Sequence, residues 1–194
     1  MPRKFMFTRE EVVSAALELV REGGISALTA RALGQKLGSS SRPVFGLFKN
    51  MEEVRQEVIK AAEVMYRSFL ETDMRSGKYP PYKASGMAYI RFAREEKELF
   101  KLLFMRDRSA ENVGENPEEI RPLIEIIKKN LGISEEKAYI FHLEMWLYVH
   151  GISSMIATSY INWEEEFVSR IITDSYFGLK ERFIKEYRND TEEL

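Results

Sequence analysis

Leu28-Thr-Ala-Arg-Ala-Leu-Gly-Gln-Lys-Leu-Gly38-Ser-Ser-Ser-Arg-Pro43-Val-Phe-Gly-Leu-Phe-Lys-Asn50 decides the fold of this chain. Thr29 is an N-cap by type, and Leu33 and Leu37 stand one turn apart, so a short helix opens there. Gly38 ends it, because glycine takes up the left-handed backbone of a sharp turn at little cost. Ser39, Ser40 and Ser41 are candidate caps for a second helix with Pro43 in its first turn, where the missing N–H removes no helical bond. Val44 and Phe48 give that second helix a buried side, and Ser41, Arg42 and Lys49 are left outward. Two short helices about a tight turn make a helix-turn-helix, a unit that fits the major groove of DNA.

The flanks complete a three-helix unit. Thr8 to Glu22 has a capping-box pattern in Thr8 and Glu11, an apolar stripe of Val13, Ala16, Leu17 and Val20, and a stop at Gly23-Gly24. With Leu28, Leu33, Leu37, Val44 and Phe48, those stripes close a small core. Asn50 and Glu53 then cap a long helix over about 50–75, carried by Val54, Val58, Ala61, Met65 and Phe69 and stopped before Gly77-Lys78-Tyr79-Pro80-Pro81.

Charge separates the same two regions. Residues 1–50 hold eight Lys or Arg against four Glu, whereas the remainder holds 21 basic and 27 acidic residues, so an overall charge of −2 hides a basic end and an acidic body. A basic end suits phosphate, and its affinity should fall steeply with salt. Arg31 and Arg42 can reach guanine O6 and N7 in a bidentate way, a contact worth about 1–3 kcal/mol of discrimination. Arg3 and Lys4 either reach an adjacent minor groove as an arm or form a solvated terminus.

The pattern over residues 8–60 resembles the TetR/AcrR-type transcription regulators, through Thr29-Ala-Arg-Ala-Leu-Gly-Gln-Lys-Leu-Gly38, the pair Val44-Phe45 and Phe48-Lys-Asn-Met-Glu-Glu53. Trp146-Leu-Tyr-Val-His150-Gly151 is similar to the Trp…His-Gly signature of one subgroup of their C-terminal domains. The resemblance implies an all-α chain, with a DNA-binding domain at 1–50 and a helical effector-binding and dimerisation domain at 51–194. It places Thr29, Ala30, Arg31, Ser40, Ser41, Arg42, Pro43, Phe45 and Lys49 at the DNA. Many members carry Thr-Leu-Tyr where this chain has Pro43-Val44-Phe45, so two phosphate-holding hydroxyls are missing and anchoring falls to Thr29, Ser40, Lys49 and backbone N–H groups. Gly46 either admits a close approach of the groove wall or is tolerated at about 1 kcal/mol of helix propensity.

The body reads as helices at 82–94, at 97–105, at 135–159 and at 164–188. The first carries Met87, Ile90 and Phe92, and the second is apolar nearly all round. Arg106 to Asn116 is a polar loop, and after it Pro122 leaves either one helix from Asn116-Pro117 or two pieces, with Leu123, Ile126 and Ile127 buried. Over 135–159 three neighbouring stripes are apolar or small, so a partner subunit is the natural cover. In the last helix Val168, Ile172, Tyr176, Leu179, Phe183 and Tyr187 keep helical spacing. With Ile152 and Ile156, the residues Val168, Ile172, Tyr176, Leu179 and Phe183 are expected to pair two copies as a four-helix bundle, and a twofold dimer calls for a pseudo-palindromic operator.

Tyr89, Phe92, Phe100, Phe104, Met105, Phe141, Met145, Trp146 and His150 exceed the aromatic and thioether needs of a small core. By the resemblance they surround a cavity for a small, mostly apolar effector, with Tyr89, Trp146, Tyr148 and His150 as polar handles; a Met and aromatic stripe also serves as plain core. His142 and His150, eight apart and with no close third donor, are not spaced for zinc, so no metal or other cofactor is expected. Phosphate-loop and nucleophile-elbow motifs are missing, which argues against an enzyme. Zero cysteines excludes disulfide and thiolate chemistry, and the lack of a long apolar run or a leader-like start suggests a cytoplasmic protein with no membrane span. The expected activity is ligand-responsive transcription regulation, most simply repression, by a homodimer on double-stranded operator DNA; the alternative is an all-helical dimeric protein-interaction module that does not bind DNA.

Overall fold

In the computed structural model the described residues are 6–109 and 117–192. Arg3, Lys4 and residues 110–116 of the expected loop lie outside them, as does the side chain of Tyr187. All regular elements among the described residues are helical, as expected. In chain order they are Arg9–Gly23 (α1), a 3-10 turn at Ile25–Ala27, Ala30–Lys36 (α2), Val44–Leu47 (α3), Met51–Ser76 (α4), Pro81–Glu95 (α5), Lys97–Phe104 (α6), Pro117–Leu131 (α7), Glu135–Ala157 (α8) and Glu165–Glu192 (α9). They form two compact units, one of Met1–Ser68 with Phe92–Arg106 and the other of Phe69–Arg91 with Asp107–Leu194.

In the first unit the expected caps are made. The Thr8 hydroxyl accepts from the Glu11 N–H at 3.2 Å, while the Glu11 carboxylate accepts from the Thr8 N–H at 2.8 Å. Thr29 accepts from the Ala32 N–H at 3.1 Å to open α2, and Gly38 follows that helix at φ +66°. The buried side of α1 is Val12, Ala16 and Val20; Val13 and Leu17, expected there, are half-buried, one position off the core. Leu28, Leu33, Val44 and Phe48 are buried as expected, and α6 adds Leu99, Phe100, Leu102 and Leu103. In α4 the core stripe is Val54, Val58 and Ala62, so Ala62 takes the place expected for Ala61.

The second helix of the helix-turn-helix is shorter than its sequence suggests. Ser39 to Pro43 are spent on the turn, and α3 opens after Pro43 without any side-chain cap, so none of the three serines caps it. The cause lies in α2. The Ser39 N–H donates to the Gly34 carbonyl at 2.8 Å, and a Cβ on Gly34 would stand 2.8 Å from backbone atoms of Ser40 and Ser41. The chain therefore crosses directly over Gly34 before it can coil again.

In the second unit α7 packs on α8 and α8 on α9. Helix α7 runs unbroken through Pro122, an exposed position where the carbonyl that the ring leaves without an N–H can be hydrated. Its buried residues are Ile124 and Ile127, not the expected set of Leu123, Ile126 and Ile127, of which Leu123 and Ile126 are half-buried. Phe141, Met145, Val149, Ile152 and Ile156 of α8 pack inward with Val168, Ile172 and Phe183 of α9. No described helix is long and apolar enough to cross a membrane.

Candidate DNA interface and the tyrosine–histidine pairs

Six described cations belong to the first three helices and the segments just after them, and the fold divides them equally. Arg9 pairs with Glu53 at 2.9 Å, Arg21 with Glu96, and Lys36 with Glu22 at 2.8 Å and Glu18 at 3.1 Å. The Lys36 ammonium is held above its ordinary pKa by Glu22 and then Glu18, so its charge is already engaged. Arg31, Arg42 and Lys49 are exposed and form no ion pair among the described residues. Those three sit on α2, in the turn before α3 and just after α3, which is where a groove-reading unit presents side chains.

The other expected DNA residues lie around them. Thr29 and Ser40 are exposed, and Ala30, Ser41 and Pro43 are half-buried. The Thr29 hydroxyl oxygen caps α2, leaving its O–H able to donate to a phosphate. Phe45 is 46% exposed although its neighbour Val44 is fully buried, so α3 turns its aromatic ring to solvent and its aliphatic side chain to the core.

Arg9 holds α3 in place, a role with no local signal in the sequence because its partners lie about 40 residues away. Its guanidinium donates to the Leu47 carbonyl at 2.6 Å and to Glu53 at 2.9 Å, and lies 4.1 Å from the centre of the Phe48 ring. Glu53 also accepts from the Lys49 N–H at 2.7 Å, and the Asn50 side chain accepts from the Glu53 N–H at 2.9 Å. The Glu53 carboxyl is accordingly held below its usual range, first by the Lys49 N–H and then by Arg9. One carboxylate thus ties the end of α3 to the start of α4.

Glu96, at the break between α5 and α6, is only 8% exposed, and Arg21 from the last turn of α1 grips it, with Nε at 2.7 Å. That Glu96 would be buried is not visible in the sequence, where Glu95 and Glu98 beside it are of the same type but exposed and half-buried. The pair lies beside an open groove of about 480 Å³ lined by Glu18, Arg21, Glu22, Arg94, Glu95, Glu96, Lys97 and Glu98. Charged walls of this kind suit water and ions rather than an apolar molecule.

The nine expected effector residues do not fall in one unit. Phe92, Phe100, Phe104 and Met105 belong to the first, where Tyr66, not anticipated, meets Phe92 and Phe104 with ring centres 5.3 Å away in each case. Phe92 and Phe100 are fully buried there, and Met105 is exposed. Tyr89, Phe141, Met145, Trp146 and His150 belong to the second. In it the Tyr89 hydroxyl lies 2.8 Å from His150 Nδ1, and the Trp146 indole stacks on the imidazole at 5.1 Å. A second pair repeats the pattern toward the start of both helices, with the Tyr82 hydroxyl 3.1 Å from His142 Nδ1. Gly86 lies between the two tyrosines on α5 and faces Val149 of α8, where a Cβ would make only ordinary contact at 3.5 Å. Burial lowers the His150 pKa and pushes the Tyr82 phenol up, so both groups favour their neutral forms.

The residues expected to pair two copies face inward. Ile152, Ile156, Val168, Ile172 and Phe183 are at most 6% exposed within the single chain, and Tyr176 and Leu179 are half-buried. The apolar side chains that α8 and α9 leave in solvent are others, among them Ile140, Leu147 and Met155 on α8 and Phe167 and Phe177 on α9.

Residues 82–173, from α5 into α9, match the family described as "Tetracyclin repressor-like, C-terminal domain". Over 113 residues the chain is 33% identical to the class D tetracycline repressor protein of Escherichia coli, a stretch that is 57% of this chain and 47% of that protein. The class H tetracycline repressor protein of Photobacterium damsela subsp. piscicida matches with 33% identity over the same length and shares. The match therefore spans about half the length of these curated relatives. Among solved structures, a TetR variant from Acinetobacter baumannii AYE in complex with minocycline is 17% identical with a TM-score of 0.49, covering 94% of this chain and 97% of that one.

Proposed function

We propose that the chain is a ligand-responsive DNA-binding transcription regulator, most simply a repressor, acting in the cytoplasm and without catalysis, a reading supported by the match of residues 82–173 to the tetracyclin repressor-like C-terminal domain family. One observation carries the DNA reading. Three cations of the N-terminal helices are consumed by internal pairs, while Arg31, Arg42 and Lys49 stay exposed and form no ion pair among the described residues around one helix-turn-helix. A structural role would have engaged them, as it engaged Arg9, Arg21 and Lys36.

In this reading residues 1–50 are the DNA-binding domain and 51–194 the effector-binding and dimerisation domain. Arg31 and Arg42 read guanine edges; Thr29, Ser40 and Lys49 hold phosphates; two copies, joined through the exposed apolar faces of α8 and α9, meet a palindromic operator. A small, mostly apolar effector enters the body, where Tyr89 and His150 supply a hydrogen-bonding end inside apolar walls. Its binding shifts the protein between two forms by the difference of its affinity for them, and so changes the hold on DNA.

The test is duplex selection from a random library followed by salt titration. Arg42→Ala should cost about 1–3 kcal/mol and relax preference at one base pair per half-site. Lys49→Ala should weaken all sequences alike and flatten the dependence of log K on log salt by about 1 per protomer. Binding independent of salt, or untouched by Arg42→Ala, would leave a protein-interaction module as the better reading.

A further inference from the structure

Phe45 is a large apolar side chain that the described residues leave nearly half exposed. It sits in α3, where Val44 before it and Phe48 after it are 0% and 2% exposed, yet it is itself 46% exposed. The next residue, Gly46, has no side chain to shield it, and Leu47 is half-buried toward the core. Near it in the chain are two exposed cations that form no ion pair among the described residues, Arg42 three residues before it and Lys49 four after. An exposed aromatic on such a surface is out of place in water and well placed against DNA.

The chemistry narrows what it can meet there. A phenyl ring has no hydroxyl, so it neither donates to a phosphate nor hydrogen-bonds a base edge. The major groove offers one apolar feature among its donors and acceptors, the 5-methyl group of thymine. We propose that Phe45 is a specificity-determining residue that packs on a thymine methyl, so that each operator half-site contains a thymine recognised by that group. The proposal rests on the reading that this unit enters the major groove, and it adds the base that the arginines cannot supply, since guanidinium groups select guanine.

Removing the methyl alone is the decisive change. After wild-type protein has selected its site, each thymine in turn is replaced by deoxyuridine, which deletes the 5-methyl and leaves all hydrogen-bonding groups in place. One thymine per half-site, at symmetry-related positions, should weaken wild-type binding about three- to tenfold on replacement, the scale of one buried methyl or methylene or somewhat more. The same replacement should leave Phe45→Ala unchanged, and Phe45→Leu, which keeps an apolar tip, should retain part of the effect. Circular dichroism and thermal midpoint, both expected to match wild type, separate loss of contact from loss of fold. Uridine tolerated at every position by the wild type, or costing Phe45→Ala as much as the wild type, overturns the assignment. If the wild type enriches no sequence at all, the DNA reading itself fails and takes the proposal with it.

Discussion

At the scale of single residues, what a side chain does here depends on what already holds it. Arg9, Lys36, Arg31 and Arg42 count alike in a charge tally, but the first two are tied to Glu53 and to Glu18 and Glu22, and the last two are not. Residue type and local spacing singled out Arg31, Arg42 and Lys49. They could not show that Arg9 braces α3, because its partners Leu47 and Glu53 are remote in sequence. His150 gives a pH prediction of defined sign. Burial lowers its pKa in the folded protein, so the unfolded chain takes up the proton first as pH falls. The stability tied to neutral His150 is complete above about pH 7 and drains away as pH drops below the ordinary histidine value of about 6.5. Thermal midpoints followed across that range should fall less steeply for His150→Gln than for the wild type; parallel curves would remove burial of His150 as the cause.

Helices whose signals are local were legible at the scale of the element. The Thr8–Glu11 box, the Thr29 cap and the Gly38 stop stand where their residue types place them. Errors came where a neighbouring element decides. Ser39 to Pro43 look like a helix start, yet they form the turn because the chain must clear Gly34 first. At Pro122 the sequence left one helix or two pieces open, and the exposed helix face tolerates the ring, so one helix forms. The choice of Ala62 over Ala61, or Val12 over Val13, depends on the side from which the core approaches. Gly34→Ala is the sharpest probe of this scale. Alanine gains about 1 kcal/mol of helix propensity, but a Cβ 2.8 Å from the backbone of Ser40 and Ser41 belongs with overpacking, which costs about 1–3 kcal/mol. The net change in denaturant stability should be a loss of up to about 2 kcal/mol, accompanied by weakened DNA binding because the turn carrying Arg42 is displaced. Unchanged DNA affinity in that variant would mean the turn can give way freely.

At the scale of the whole molecule, periodicity revealed that α8 and α9 are apolar on several sides but not which neighbour covers each. Ile152, Ile156, Val168, Ile172 and Phe183 are covered by their own chain, so a second copy would have to use the faces that remain. Leu147, 57% exposed in the middle of α8, tests this. On the proposed dimeric reading, Leu147→Glu should leave the helical spectrum intact while sedimentation shifts from dimer to monomer, and operator affinity should fall with it. A dimer that survives this charge must be joined elsewhere. The hold of Arg21 on Glu96 bears on a different use of the molecule. The compact unit that contains the helix-turn-helix includes α6, and its ion pair spans 75 residues of chain. A chimera cut at residue 50 would strand a nearly buried carboxylate on one parent and its cation on the other. If the chain is the proposed regulator, grafting a new operator preference onto it calls for transplanting α6 along with the amino-terminal helices, or else for matching Arg21 and Glu96 across the seam.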